Sequence, residues 1–215
     1  MLKINLLLAL LFISANAFAE LPISIGIDTK GGYNFSDKIM YIENEAIFEK
    51  EFDVLKGLTV GFENLFIFEN PDLADEMTLG AGLGLLDFLS IGIASKLFIS
   101  DSLSFGVNGI VVLGYEFEKI GLSIDDGNEF LYNFHKKSFE YVNTFSLEKM
   151  FEINDKAGIG FGIENELVVT KEEIVDGLLA GPKFNFNNFS FYANYALGIV
   201  PNISHGAEIG IGIEF

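Results

Sequence analysis

Carboxylates at alternate positions are the feature of this chain most able to do chemistry. Glu43, Glu45, Glu49, Glu51 and Asp53 recur with a spacing of two, apart from Ile47, and Ile42, Ala46, Phe48, Phe52 and Val54 occupy the positions between. Successive side chains of a strand point to opposite faces, so this spacing gathers the acids on one face and the apolar residues on the other. A wall of that kind concentrates cations and repels anions. Oxygen ligands could also hold a divalent cation, but carboxylates along a strand are equally served by water, and neither a metal nor a cofactor is assigned to them. The other reactive pairs are Ser204 with His205, and His135 close before Ser138. A nucleophile beside a base would suit acyl transfer. Adjacent strand residues face opposite ways, however, so Ser204 and His205 cannot meet, and no catalytic residue is assigned. The runs Gly80 to Gly84 and Gly158 to Gly162 have glycine at alternate positions, but no helix pattern follows and no phosphate loop is implied.

The same period of two runs through nearly the whole chain and predicts a series of antiparallel strands joined by turns. The first holds one register from Leu21 to Phe35, and the second and third flank a turn near Lys56 and Gly57. Asn70 to Asp72 form a loop before a fourth strand over Met77 to Leu86. Leu89 to Ile99 and Leu103 to Phe117 follow, separated by a turn at Ser100 to Ser102. A seventh strand begins near Ile120, where Asp125, Asp126, Gly127 and Asn128 carry the composition of a turn or loop tip. The eighth and ninth centre on Phe139 to Leu147 and Ile159 to Val169, and Lys171 to Asp176 form a charged loop. The last three cover Leu178 to Phe186, Phe189 to Leu197 and Ala207 to Phe215. Twelve strands result, with ten or fourteen open if Ile120 to Lys137 pairs otherwise. Turns after strands two, four, six and ten are short, and those near Pro71, Asp126, Lys171 and Pro201 are longer.

Sorting by parity places Glu43, Glu45, Glu49, Glu51, Asp53, Glu63, Glu116, Glu140, Glu164, Glu166 and Glu208 on the face away from the apolar one, where they would line a pore. Lys30 and Lys96 share that face, too few to neutralise it. Unpaired charges in a dry interior would cost several kcal/mol each, so the enclosed space is expected to be wet. Glycines crowd the same face and leave room for water. Tyr33, Tyr41, Tyr115, Tyr141 and Tyr195 are expected among the outward aromatics, with many of the 23 phenylalanines.

Composition narrows the function. The chain has 13 basic residues, all lysine, against 31 acidic ones and no cysteine. That balance excludes phosphate-neutralising nucleic-acid binding, and the absence of cysteine removes disulfides and thiolate metal sites. Lys3, the apolar run from Ile4 to Ile13 and the Ala17, Phe18, Ala19 segment predict a secretory signal peptide over residues 1–19, cleaved after Ala19, with one domain over 20–215. No later apolar run is long enough for a membrane helix, so strands must carry any insertion.

The last segment alternates Ala207, Ile209, Ile211, Ile213 and Phe215 with Glu208, Gly210, Gly212 and Glu214. It resembles the C-terminal recognition strand of bacterial outer-membrane β-barrels, and the resemblance extends over 20–215. It implies an all-β, transmembrane, up-and-down antiparallel barrel in the bacterial outer membrane, with both termini on the periplasmic side. It also implies contact with outer-membrane lipids and with the barrel assembly machinery, which would read Ile209, Ile211, Ile213 and Phe215. The expected function is porin-like: passive diffusion of small cationic or neutral solutes through an acidic lumen, without catalysis. The alternatives are a closed structural or adhesive barrel acting through its outer loops, favoured if the strand count were eight, and a lipid-modifying enzyme. The barrel lipases and deacylases carry a His-x-Ser-Asn pattern that Gly206 and Ala207, following His205, do not match.

Overall fold

The computed structural model describes residues 24–52, 57–69, 72–99, 103–154 and 156–215. The expected leader and cleavage site lie outside the described residues, as do Asp53 and the Asn70–Pro71 segment. Alternation of apolar and polar side chains becomes strand almost throughout, because a period of two puts the apolar residues of each strand on one face and the polar ones on the other. The strands are β1 Ser24–Asn34, β2 Ile39–Phe52, β3 Leu58–Glu69, β4 Asp72–Leu86, β5 Leu89–Ile99 and β6 Leu103–Phe117. A 3-10 turn, Glu118–Ile120, leads to β7 Leu122–Asn133, β8 Ser138–Asn154, β9 Ala157–Val169, β10 Ile174–Phe186, β11 Phe189–Val200 and β12 Ser204–Glu214.

Each strand pairs antiparallel with its sequence neighbours, and β12 returns to β1, so the sheet closes on itself without an edge. The closing seam runs from Gly26 opposite Glu214 to Asn34 opposite Gly206. Beyond it, the Phe215 amide donates to the Ile25 carbonyl at 2.8 Å. Ser24 and Phe215 therefore leave the barrel at one end, called here the terminus end, and the opposite end is formed by hairpin tips.

Twelve strands set aside the ten-, fourteen- and eight-strand alternatives. Three further expectations are corrected. The Asp125–Asn128 segment is not a loop tip: β7 runs straight through it, with Asp126 opposite Phe145 and Asn128 opposite Asn143. Asp176 belongs to β10 rather than to the charged loop, which ends at Glu173. The two ends also do not divide into short and long connections, since between two and five residues join every consecutive pair of strands. One of the two-residue connections, Asn187 and Asn188, works because Asn187 adopts a φ of 52°, the left-handed conformation that such hairpin turns demand.

Candidate functional site

Register builds the inner wall. Asp28 pairs with Glu45, Lys30 with Glu43 and Gly26 with Ile47, so these side chains project to one side. The same parity carries round the sheet to Glu49 and Glu51 on β2, opposite Gly61 and Thr59, and to Glu63, opposite Ile47 and Thr78. It continues to Glu116 opposite Ser123, Glu140 opposite Leu131, Glu164 opposite Ser146, Glu166 opposite Thr144 and Glu208 opposite Asn194. All the carboxylates assigned from sequence, other than the undescribed Asp53, thus share one face. The other face is apolar and exposed, for example at Ile93, Leu79 and Ile209.

The inward face encloses space. A cavity of about 420 Å³ is lined by Asp28, Lys30, Glu43 and Glu45 on one side and by Asp125, Glu148, Glu164 and Lys183 on the other. In a closed ring of twelve, β2 and β8 are six strands apart and stand opposite each other. Carboxylates of both walls therefore border the same volume. A second space of about 540 Å³ is lined by Glu49, Glu51, Glu63 and Thr78.

Long side chains lie flat along this wall instead of crossing it. Tyr41 on β2 covers Gly32 of β1 so closely that a Cβ there would overlap its ring, and its hydroxyl donates to Glu208 of β12 at 2.6 Å. Tyr192 on β11 covers Gly210 of β12 in the same way and donates to Asp28 of β1 at 3.3 Å. The two tyrosines cross the seam in opposite directions and clasp it. Glu208, only 4% exposed, also accepts from Asn194 at 3.4 Å, so both its oxygens are engaged. Lysines follow the same rule: Lys183 reaches Glu148 at 2.7 Å past Gly160 and Gly162 of the intervening β9, and Lys96 reaches Glu129 at 3.6 Å past Gly106 of β6. Lys30 meets Glu43 on the adjacent strand at 2.9 Å. Under the two tyrosines, Gly32 and Gly210 are what permit the lean, which gives part of the glycine-rich face a purpose beyond making room for water.

Packing is tighter toward the tips on the β5–β7 side. Asn108 is completely buried there and donates to Glu129 at 2.7 Å, while Asn133 donates to Ser104 at 3.3 Å. Ser204 and His205 take opposite faces, and the outward His205 ring is hydrogen-bonded to the Tyr195 hydroxyl. His135 sits in the tip after β7, with its amide bonded to Asn133.

Several inward residues escape the sequence reading. Tyr41 was expected outward as an interfacial aromatic; its odd position on β2, the parity of Glu43 and Glu45, turns it inward. Lys183 and Tyr192 were legible from parity with Asn185 and Asn194. Asp125 and Glu129 were hidden because Asp126 and Asn128, on the opposite face, break the apolar alternation that would have marked a strand. Glu76 pairs with Leu65 in the Glu63 register and was missed because the fourth strand begins earlier than its apolar run.

No family model and no curated protein matches the sequence. Solved structures do resemble the fold. The NanC porin superposes with a TM-score of 0.60 at 12% identity, covering 87% of this chain and 98% of that one. A KdgM porin gives 0.58 at 11% identity, covering 88% and 99%, and has also been seen in complex with disordered oligogalacturonate. The COG4313 outer membrane channel from Pseudomonas putida F1 gives 0.57 at 8% identity, covering 91% and 96%. At such identities the likeness shows the fold alone: a closed twelve-strand barrel of the kind used by small outer-membrane porins and channels.

Proposed function

We propose that the chain is an outer-membrane porin-like channel through which small cationic or neutral hydrophilic solutes diffuse passively. Residues 1–19 act as the export leader, removed after Ala19, and Ile209, Ile211, Ile213 and Phe215 on β12 and just beyond it serve the barrel assembly machinery. One observation carries the cation preference. Lys30, Lys96 and Lys183, the lysines on the inward register among the described residues, are each engaged by a carboxylate, while Glu45, Glu49, Glu51, Glu63, Glu164 and Glu166 form no ion pair there. Fixed carboxylates facing one enclosed space of about 420 Å³ from opposite walls enrich cations and exclude anions. A polyanion such as the oligogalacturonate held by the KdgM porin would meet repulsion here. Side chains lying along the wall support an open lumen, since a filled barrel sends them toward the axis. The short tips weigh against an adhesive barrel that works through its loops, and the divergent Ser204 and His205 weigh against an enzyme.

The decisive experiment is single-channel conductance and reversal potential of the refolded protein in a planar bilayer under a salt gradient. Stable openings with cation preference, reduced when Glu45, Glu49 and Glu51 become Gln, are expected. Folded, heat-modifiable protein that never conducts would sink the channel reading.

A further inference from the structure

The outward face carries a polar cluster halfway along the β7–β8 ladder. Asn128 stands directly opposite Asn143, five rungs from the tip end of the ladder and six from the other end. Asn143 donates to Asp126 Oδ1 at 2.6 Å, to the Gly127 carbonyl at 3.2 Å and to Asn128 Oδ1 at 3.4 Å. The Tyr141 hydroxyl donates to the same Asn128 oxygen at 2.7 Å. Elsewhere among the described residues, the hydrogen-bonded polar side chains of the outward strand faces come in pairs: Thr29 with Asn44, Asn64 with Asp75, Asn165 with Asp176 and Tyr195 with His205. Only on β7–β8 do four of them join. Their frame is apolar and exposed, with Phe130 and Phe139 on the tip side and Phe145 opposite Asp126.

Lipid tails offer a carboxylate no hydrogen bond, and an ionisable side chain at mid-membrane depth is costly unless another protein group meets it. The cluster leaves such a demand. Asn143 engages one oxygen of Asp126, and the Asn128 amide nitrogen donates to no described residue. An acceptor and a donor therefore stand two residues apart on one strand, both turned outward. Copies of a barrel inserted in the same sense are related by an axis along the membrane normal, so they meet at equal heights. Tilted strands cross where two such barrels face each other. An axis passing between Asp126 and Asn128 then sets each Asn128 over Asp126 of the other copy, and the same contact is made twice. That is the self-complementarity a two-fold interface requires.

We propose that the outward face of β7 and β8 is the contact between two copies of this chain in the membrane, closed by Asn128 amides donating to Asp126 carboxylates. Phe130, Phe139 and Phe145 pack around the polar centre, as apolar side chains do about the polar groups that join spanning segments. The dimer stands on the membrane-barrel fold and is independent of conduction.

The chain has no cysteine, so single introduced cysteines carry spin labels without background. Phe139→Cys lies on β8 beside the contact, and Ile42→Cys lies on β2 on the far side of the ring. Double electron–electron resonance on the refolded protein in phosphatidylcholine vesicles is expected to show a defined intermolecular distance for Phe139→Cys and none within range for Ile42→Cys. Adding Asp126→Leu with Asn128→Leu to the Phe139→Cys chain should abolish that distance while the heat-modifiable gel shift persists. Should the leucine pair not fold, Asp126→Asn keeps an oxygen for Asn143 but turns an amide toward the other copy, and it should lower the dimer fraction severalfold. A folded barrel with no distance at Phe139→Cys, an equal signal at Ile42→Cys, or a signal that survives these substitutions would overturn the dimer. A chain that never inserts would sink the membrane reading, and the dimer with it.

Discussion

Removing the Tyr41 hydroxyl tests the clasp across the β12–β1 seam. Tyr41→Phe keeps the ring over Gly32 and deletes only the donor that reaches Glu208 at 2.6 Å. Hydrogen bonds to charged acceptors contribute about 1.5–3 kcal/mol, and a nearly buried carboxylate has little water to replace the one it loses. Asn194, at 3.4 Å, remains its weak partner. The expected cost is therefore about 2 kcal/mol, roughly thirtyfold in the folding equilibrium constant. Tyr192→Phe removes a longer bond, 3.3 Å, to the more exposed Asp28 and should cost about 1 kcal/mol or less. Equilibrium urea unfolding in lipid vesicles, followed by the heat-modifiable gel shift, reads both. A double-mutant cycle of Tyr41→Phe with Glu208→Gln isolates the pair, and its coupling should account for at least half of the single-mutant loss. A Tyr41→Phe loss below about 0.5 kcal/mol, an inverted order of the two tyrosines or zero coupling would refute the clasp.

The remaining expectations concern the wall and its beds. Changing Glu45, Glu49 and Glu51 to Gln lowers cation preference, seen as a smaller reversal potential in a salt gradient; an unchanged potential would remove β2 from the selectivity path. Lys30→Gln with Lys183→Gln works the other way, freeing Glu43 and Glu148 and increasing cation preference in the same recording. Gly210→Ala forces a Cβ into the Tyr192 ring and should cost about 1–3 kcal/mol, whereas Gly162→Ala, with nothing within 4 Å, should stay within about 0.5 kcal/mol in urea unfolding. Equal effects of the two glycine substitutions would mean that the leaning side chains do not use these beds.

Much of the barrel was legible in the sequence, because a strand with one apolar and one polar face must alternate and the period of two needs no knowledge of partners. Glu43 to Glu51, Glu63, Glu164 and Glu208 follow from parity alone. Legibility failed where a strand departs from pure alternation. Asp125 to Asn128 resembled a turn because Asp126 and Asn128 occupy outward positions that hydrocarbon would fill, and β7 was cut short. Tyr41 looked like an interfacial aromatic by residue type, although its parity already turned it inward.

Sequence by itself determined the series of alternating strands, the parity of nearly every side chain and the excess of acid over lysine, since these are local properties of spacing and composition, whereas ring closure at twelve strands came from the tertiary structure. Tertiary structure decided which residues meet across strands that are far apart in the chain. Tyr41 finds Glu208 and Tyr192 finds Asp28 only because closure sets β12 beside β1 in a particular register.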